Sequence, residues 1–153
     1  MLSRKVVTRS RRGFTGCIPS KKLNRHVQFE SLLERDAIEL FERADEVLSF
    51  REQPMIIYYY IDVVQRKYYP DFELILDSGQ VVHIEVKPKI KLRDRETALK
   101  YQAINQQYLS RDEHFSILTE VEIRTTHTFD IYALINNDNL HKTQGSNHAK
   151  ILF

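Results

Sequence analysis

Apolar positions along the chain fall into two rhythms. Between Ser31 and Leu48, the residues Leu33, Ala37, Leu40, Phe41, Ala44 and Leu48 recur at the spacing of one helical face. Ser31, with Glu34 three positions on, has the form of a helix start in which cap and third residue bond reciprocally. From Asp94 to Leu109, the residues Ala98, Leu99, Tyr101, Ala103, Ile104 and Tyr108 predict a second helix. Between the two the rhythm shortens. Val47 to Phe50, Met55 to Val64, Lys67 to Leu76 and Val81 to Lys87 are rich in β-branched and aromatic residues and predict strands, with Pro54 and Pro88 as punctuation. Phe115 to Val121 predicts one more. Past Arg124 the pattern weakens: Phe129 to Ile135 fits a strand or a short helix, and the stretch after Asn136 is polar until Ile151. Residues 1–27 show no sustained period and predict an arm, ordered on its partner. Helix, antiparallel strands, helix, strand is the order of an α/β or α+β sheet with helices on its faces.

Length and composition narrow this picture. The 153 residues suit one domain, and 42% apolar residues can bury a sizeable core. No apolar run approaches the ~20 residues that span a bilayer, so no membrane partner is expected. Cys17 is the only cysteine. An internal disulfide and a cysteine-based zinc site are therefore excluded, and a reducing, cytoplasmic setting is the default. The net charge of +2 hides an asymmetry. No acid precedes Glu30, and that stretch carries eight basic residues: Arg4, Lys5, Arg9, Arg11, Arg12, Lys21, Lys22 and Arg25. The remaining chain holds fifteen basic residues against twenty-one acidic ones. A basic arm on a mildly acidic body points to a polyanionic partner. A solvated tail is the competing reading, and the acid-free start also has some look of an organelle transit peptide, without the apolar face of one.

Candidate chemistry concentrates between Asp71 and Lys87. Side chains alternate faces along a strand, so His83, Glu85 and Lys87 share one face of theirs, and Asp71 and Glu73 share one face of the preceding strand. Whether the two sets meet depends on register. A two-residue loop pairs Asp77 with Gln80 and sets Asp71 opposite Val86, on the wrong face. A three-residue loop pairs Leu76 with Gln80, or Asp77 with Val81, and brings Asp71, Glu85 and Lys87 together. Gly79 suits the left-handed position such a loop needs, so a three-residue loop is expected. Two carboxylates side by side repel, and burial makes that worse. A divalent cation relieves both problems, and hard oxygen donors suit Mg²⁺ or Mn²⁺. Such an ion polarises a phosphodiester and activates water, and a lysine beside it can orient that water or stabilise developing charge. The competing reading is a surface salt-bridge ladder.

The surroundings of this hairpin resemble a known family. Pro70-Asp71 followed by Glu85-Val86-Lys87 looks like the PD-(D/E)xK nuclease superfamily. Closer still, Phe50-Arg51-Glu52-Gln53-Pro54, Pro70-Asp71-Phe72, Val86-Lys87-Pro88, Leu92-Arg93-Asp94-Arg95-Glu96-Thr97 and Phe115 to Glu120 resemble TnsA-type endonucleases of bacterial cut-and-paste transposons. The resemblance covers roughly residues 30–123. It implies a restriction-endonuclease-like mixed sheet flanked by helices, an α/β fold. It implies Asp71 as central metal ligand, Glu85 at a ligand position that some members fill with glutamine, and Lys87 as catalytic lysine. The family's helical glutamate falls on Glu34, 17 residues before Arg51. Glu34 is also the capping glutamate of Ser31, so the two roles compete, and Glu30 is the substitute if the helix starts earlier.

The resemblance implies a metal-dependent endonuclease that cuts the 5′ ends of a transposon in double-stranded DNA, beside a transposase, with an ATPase regulator as a further partner. Lys89, Lys91, Arg93, Arg95 and the arm residues Arg9, Arg11 and Arg12 are the expected DNA contacts, since backbone phosphates dominate nucleic-acid affinity; a solvated basic turn is the competing reading of the first four. The expected organisation is a basic arm over 1–27, a nuclease domain over 28–123 and an extension over 124–153, too short for the second domain usual in the family. A small phage nuclease of the same superfamily and a silent DNA-binding module are the alternatives. His83, on the site's face, is expected as a packed or exposed polar residue rather than a ligand; Glu73 as solvent-facing, with an acid behind the metal ligands as the alternative; and Tyr58, Tyr59, Tyr60, Tyr68 and Tyr69 as strand packing, with stacking of one of them on DNA as the alternative.

Overall fold

The structure is a computed structural model and describes residues 14–124 and 129–136. The helix α1 spans Leu32–Arg43, and Ser31 caps it as the sequence predicts by accepting from the Glu34 N–H; the return bond differs, since Glu34 Oε2 accepts at 2.8 Å from the N–H of Glu30, one residue before the cap. Its face of Leu33, Ala37, Ile38, Leu40 and Phe41 is buried. The helix stops at Arg43, short of the predicted Leu48. The Lys22 ammonium donates to the carbonyls of Phe41, Ala44 and Val47, which meets acceptors that a helix end leaves open.

That lysine belongs to a hairpin, β1 (Gly16–Ser20) and β2 (Arg25–Phe29), paired antiparallel. Its presence corrects the expectation of an arm for residues 16–27, while residues 1–13 of that arm lie outside the described residues. Val27 and Phe29 join the core. The turn at residues 21–24 is tied to α1 by Glu42, which accepts from Ser20 Oγ at 2.6 Å and from the N–H groups of Lys21 and Lys22 at 2.7 and 3.0 Å. Burial works to raise the Glu42 carboxyl, but these hydrogen bonds win and hold it below its ordinary value. A Cβ at Gly16 would meet the tip of the Phe29 ring at 2.8 Å, so the ring lies over Gly16 as it is placed here and would have to shift for a larger residue. Arg9, Arg11 and Arg12 lie outside the described residues, as does most of the 124–153 extension.

The central sheet holds β3 (Val47–Glu52), β6 (Phe72–Leu76), β7 (Val81–Val86) and β8 (His114–Leu118), in the order β3-β6-β7-β8. The first three are antiparallel neighbours, and β8 runs parallel to β7. Parallel strands need a crossover, supplied here by a 3₁₀ turn, Lys89–Arg93, and the helix α2, Arg95–Ser110. The Asp94 side chain caps α2 by accepting from Thr97. After β8 the short helix α3, Glu120–Arg124, begins where β continuation to Val121 was expected, because Thr119 and Glu122 form a reciprocal cap. Residues 131–136 are helical, which decides the ambiguous segment.

Two further strands, β4 (Ile57–Ile61) and β5 (Val64–Tyr68), form a separate ribbon. Its turn falls at Asp62 and Val63, both left-handed with φ of 49° and 61°. The predicted strand from Lys67 to Leu76 is therefore two strands in two sheets, divided at Tyr69-Pro70-Asp71. Proline has no N–H to give a ladder, and the chain changes sheets there.

Alternation gives the sheet two characters. Phe72, Leu74, Leu76, Val82, Ile84 and Val86 point toward α1 and fill the main core. Tyr101, Ile104 and Tyr108 of α2 pack with Ile57, Tyr59 and Tyr68 of the ribbon and with Phe115 on the other side. Asp71, Glu73, His83 and Glu85 lie on that second side. Among the described residues no helix is long and apolar enough to cross a membrane.

Candidate active site

The hairpin between β6 and β7 has the loop that the site requires. Phe72 pairs with Ile84 and Glu73 with His83. The Leu76 N–H donates to the Gln80 carbonyl at 2.9 Å, and Gly79 has φ of 86°. Asp77, Ser78 and Gly79 thus form a three-residue loop, and its register sets Asp71 opposite Glu85 on the α2 side.

Asp71 sits at the switch between sheets. Its carbonyl accepts from the Gln53 N–H at 2.8 Å, and its Oδ2 accepts from the Val86 N–H at 2.8 Å. Burial, then the charges of Glu85 and Glu34, push its carboxyl well above the ordinary value; the Val86 hydrogen bond opposes them. Glu34 stands at the start of α1, and its charge is felt at Asp71. Glu85 is 6% exposed. Its Oε2 accepts from the Tyr68 hydroxyl at 2.5 Å and its Oε1 from the Tyr101 hydroxyl at 2.6 Å. The Lys87 ammonium stands 3.7 Å from Glu85 Oε1 and 5.8 Å from the centre of the Tyr101 ring, while its backbone N–H continues the sheet to Leu118. Lys100 of α2 lies over the Tyr68 and Tyr101 rings, at 5.8 and 5.5 Å.

Beside this group runs a second polar chain. Arg51 donates to Glu73 Oε1 at 2.9 Å, Glu73 Oε2 stands 2.9 Å from His83 Nε2, and His83 Nδ1 stands 2.6 Å from the Tyr108 hydroxyl. Glu73 is thus not solvent-facing as expected: its side chain is 12% exposed. Burial tends to raise its carboxyl, but the bonds to His83 and Arg51 hold it low. His83 is a packed polar residue, as read from the sequence. An open cavity of about 260 Å³ adjoins this chain, lined by Met55, Val81 and His114 among others. Glu73 and His83 line it, while Asp71 and Glu85 do not.

The Arg51-Glu52-Gln53 motif is scaffolding in this molecule. Arg51 holds Glu73, Gln53 holds the Asp71 backbone, and Glu52 receives a two-pronged bond from Arg25 of β2 at 2.9 and 2.8 Å. Lys89, Lys91, Arg93 and Arg95 are all exposed on the segment that follows Lys87. Tyr68, Tyr101 and Lys100 were missed by sequence reasoning. Their signal was present: a tyrosine on a buried face needs a partner for its hydroxyl, and Tyr101 lies on the apolar face of α2.

Among the described residues no three His, Cys, Asp or Glu side chains stand close enough together to form a ready metal cage. The donor chemistry nevertheless fits a hard cation. Asp71 and Glu85 face each other across the strands and Glu34 adds its charge, so burial first and this repulsion second raise Asp71.

A mixed four-stranded sheet flanked by helices is a fold of the restriction-endonuclease-like class. Within that class the match is specific. The family model of the TnsA-like endonuclease N-terminal domain matches residues 44–120, and the chain belongs to that family. Membership makes it a nuclease of the transposon type, a class that acts on DNA with a transposase and usually uses divalent metals. No curated protein matches the chain. The matched span contains Asp71, Glu85 and Lys87 and begins after α1, so Glu34 lies outside it.

Proposed function

We propose that this chain is a divalent-metal-dependent DNA endonuclease that cleaves the 5′ ends of a transposon alongside a transposase. The observation that carries this reading is the hairpin register, which sets Asp71 against Glu85 with Lys87 next on the same face. Asp71 and Glu85 would hold Mg²⁺ or Mn²⁺, with Glu34 contributing from α1. When bound, the ion supplies a polarised phosphodiester and a water of lowered pKa. Lys87 orients the attacking water or offsets charge on the phosphate. The exposed Lys89, Lys91, Arg93 and Arg95, with Arg9, Arg11 and Arg12, grip backbone phosphates. An ATPase regulator is a further candidate partner, and the site of action is cytoplasmic DNA.

The test is cleavage of transposon-end DNA in Mg²⁺ or Mn²⁺ with the partner transposase present, wild type against Lys87→Ala. The variant is expected to lose roughly 100-fold or more in rate, the scale for removing one group that stabilises transition-state charge. Equal cleavage by the two proteins rejects the mechanism.

A further inference from the structure

We propose that Tyr68 and Tyr101 are positioning residues that clamp the Glu85 carboxylate from two sides and hold it in one orientation for a divalent cation. The inference rests on the metal-dependent reading above and adds to it the means by which one ligand is aimed.

A carboxylate this deeply buried must be satisfied by hydrogen bonds. Lys87 does not do so, because at 3.7 Å it is at the limit of an ion pair. The two short bonds come from hydroxyls, one to each oxygen, at 2.5 and 2.6 Å. They arrive from different elements: Tyr68 ends β5, and Tyr101 stands in the second turn of α2. Two donors from two elements fix both the position and the rotation of the carboxylate plane.

The type of donor matters as much as the distance. An arginine here would neutralise Glu85 and compete with a cation. A tyrosine hydroxyl orients the carboxylate while leaving its negative charge in place, and each oxygen keeps a second lone pair. The clamp itself is stiff. The two rings meet edge to face at 6.4 Å, and Tyr68 meets Phe115 in the same way at 6.1 Å. The Lys100 ammonium lies over both rings, attracted by their negative faces. Asp71 has a holder of its own in the Val86 N–H, and its carboxyl also meets that of Glu85.

The experiment is a titration of Mn²⁺ into the full chain with a short DNA duplex present, read by electron paramagnetic resonance, for wild type, Tyr68→Phe, Tyr101→Phe and Asp71→Asn. Thermal melts identify the temperature at which each is folded. Each phenylalanine variant is expected to weaken Mn²⁺ binding roughly 10-fold, as loss of an outer partner of a metal ligand does, with Asp71→Asn weakened at least as much. Tyrosine variants that bind like wild type while Asp71→Asn does not overturn the clamp and leave the metal site standing. A lower melting temperature with unchanged Mn²⁺ affinity overturns it too, since that is a packing effect alone. Wild-type binding by Asp71→Asn removes the metal site and the clamp together. If Tyr101→Phe does not fold, Tyr68→Phe decides the matter by the same criteria.

Discussion

Val63 occupies a place made for glycine, and replacing it has a calculable result. The β4–β5 turn needs left-handed backbone at both central residues, and Val63 takes φ of 61° there. A branched side chain in that region costs about 1–2 kcal/mol. Val63 is 96% exposed, so removing its side chain forfeits almost no burial. Glycine adds back part of the gain as unfolded-chain entropy, about 0.5–1 kcal/mol. Val63→Gly should therefore stabilise the protein by about 0.5–1 kcal/mol, a rise in melting temperature of about 1–4 °C for a chain of this size. Val63→Asn should recover much of this, since asparagine tolerates the same region, and Val63→Ala should recover less because it keeps its Cβ. Urea titrations of the four proteins measure the order. Val63→Gly no more stable than Val63→Ala, or less stable than wild type, refutes the strain argument.

Asp71→Asn should end cleavage and yet make the metal-free protein more stable at neutral pH. Asparagine keeps an oxygen for the Val86 N–H and removes the charge that burial, Glu85 and Glu34 oppose. The sign follows from the raised Asp71 carboxyl: its favourable contribution is full below the unfolded value, about 3.9, and is lost as pH rises through the higher folded value. The advantage of Asp71→Asn over wild type in EDTA should grow across that window, and a constant difference from acid to neutral pH refutes it. Glu42→Ala should destabilise by about 1–2 kcal/mol through loss of charge-assisted bonds to Ser20, Lys21 and Lys22, read by chemical denaturation. Because the Glu42 carboxyl is held low, this loss should be present at neutral pH and shrink as pH falls through the folded value.

The parts of the fold that sequence reasoning reached were those with a long period or a forced register. α2 carries its apolar face through four turns, and Asp94 announces its start. The β6–β7 loop followed from the demand that Phe72, Leu74, Val82 and Ile84 share a core while Asp71 and Glu85 meet. The β1–β2 hairpin was hidden because few of its side chains are buried, and its anchor, Glu42, is some twenty residues away in sequence. The division at Pro70 did leave a trace in the sequence: the proline breaks the run, and β5 is mostly polar and exposed where β6 is mostly apolar. Within the candidate site, the acids and the lysine were visible as spacing. The tyrosines were visible only as packing residues, because a hydroxyl partner on another element leaves no local trace. Glu73 read as solvent-facing because Arg51 and His83, which enclose it, come from two other strands.

The β4–β5 ribbon makes no ladder with the central sheet, yet it is joined to both acids of the hairpin. Along the chain, Tyr69 and Pro70 lead straight from its last strand to Asp71. Through space, the Tyr68 hydroxyl holds Glu85. A load on the ribbon is therefore delivered to the two carboxylates by separate routes, one covalent and one hydrogen-bonded. A displacement that the two routes transmitted unequally would change the gap between the acids.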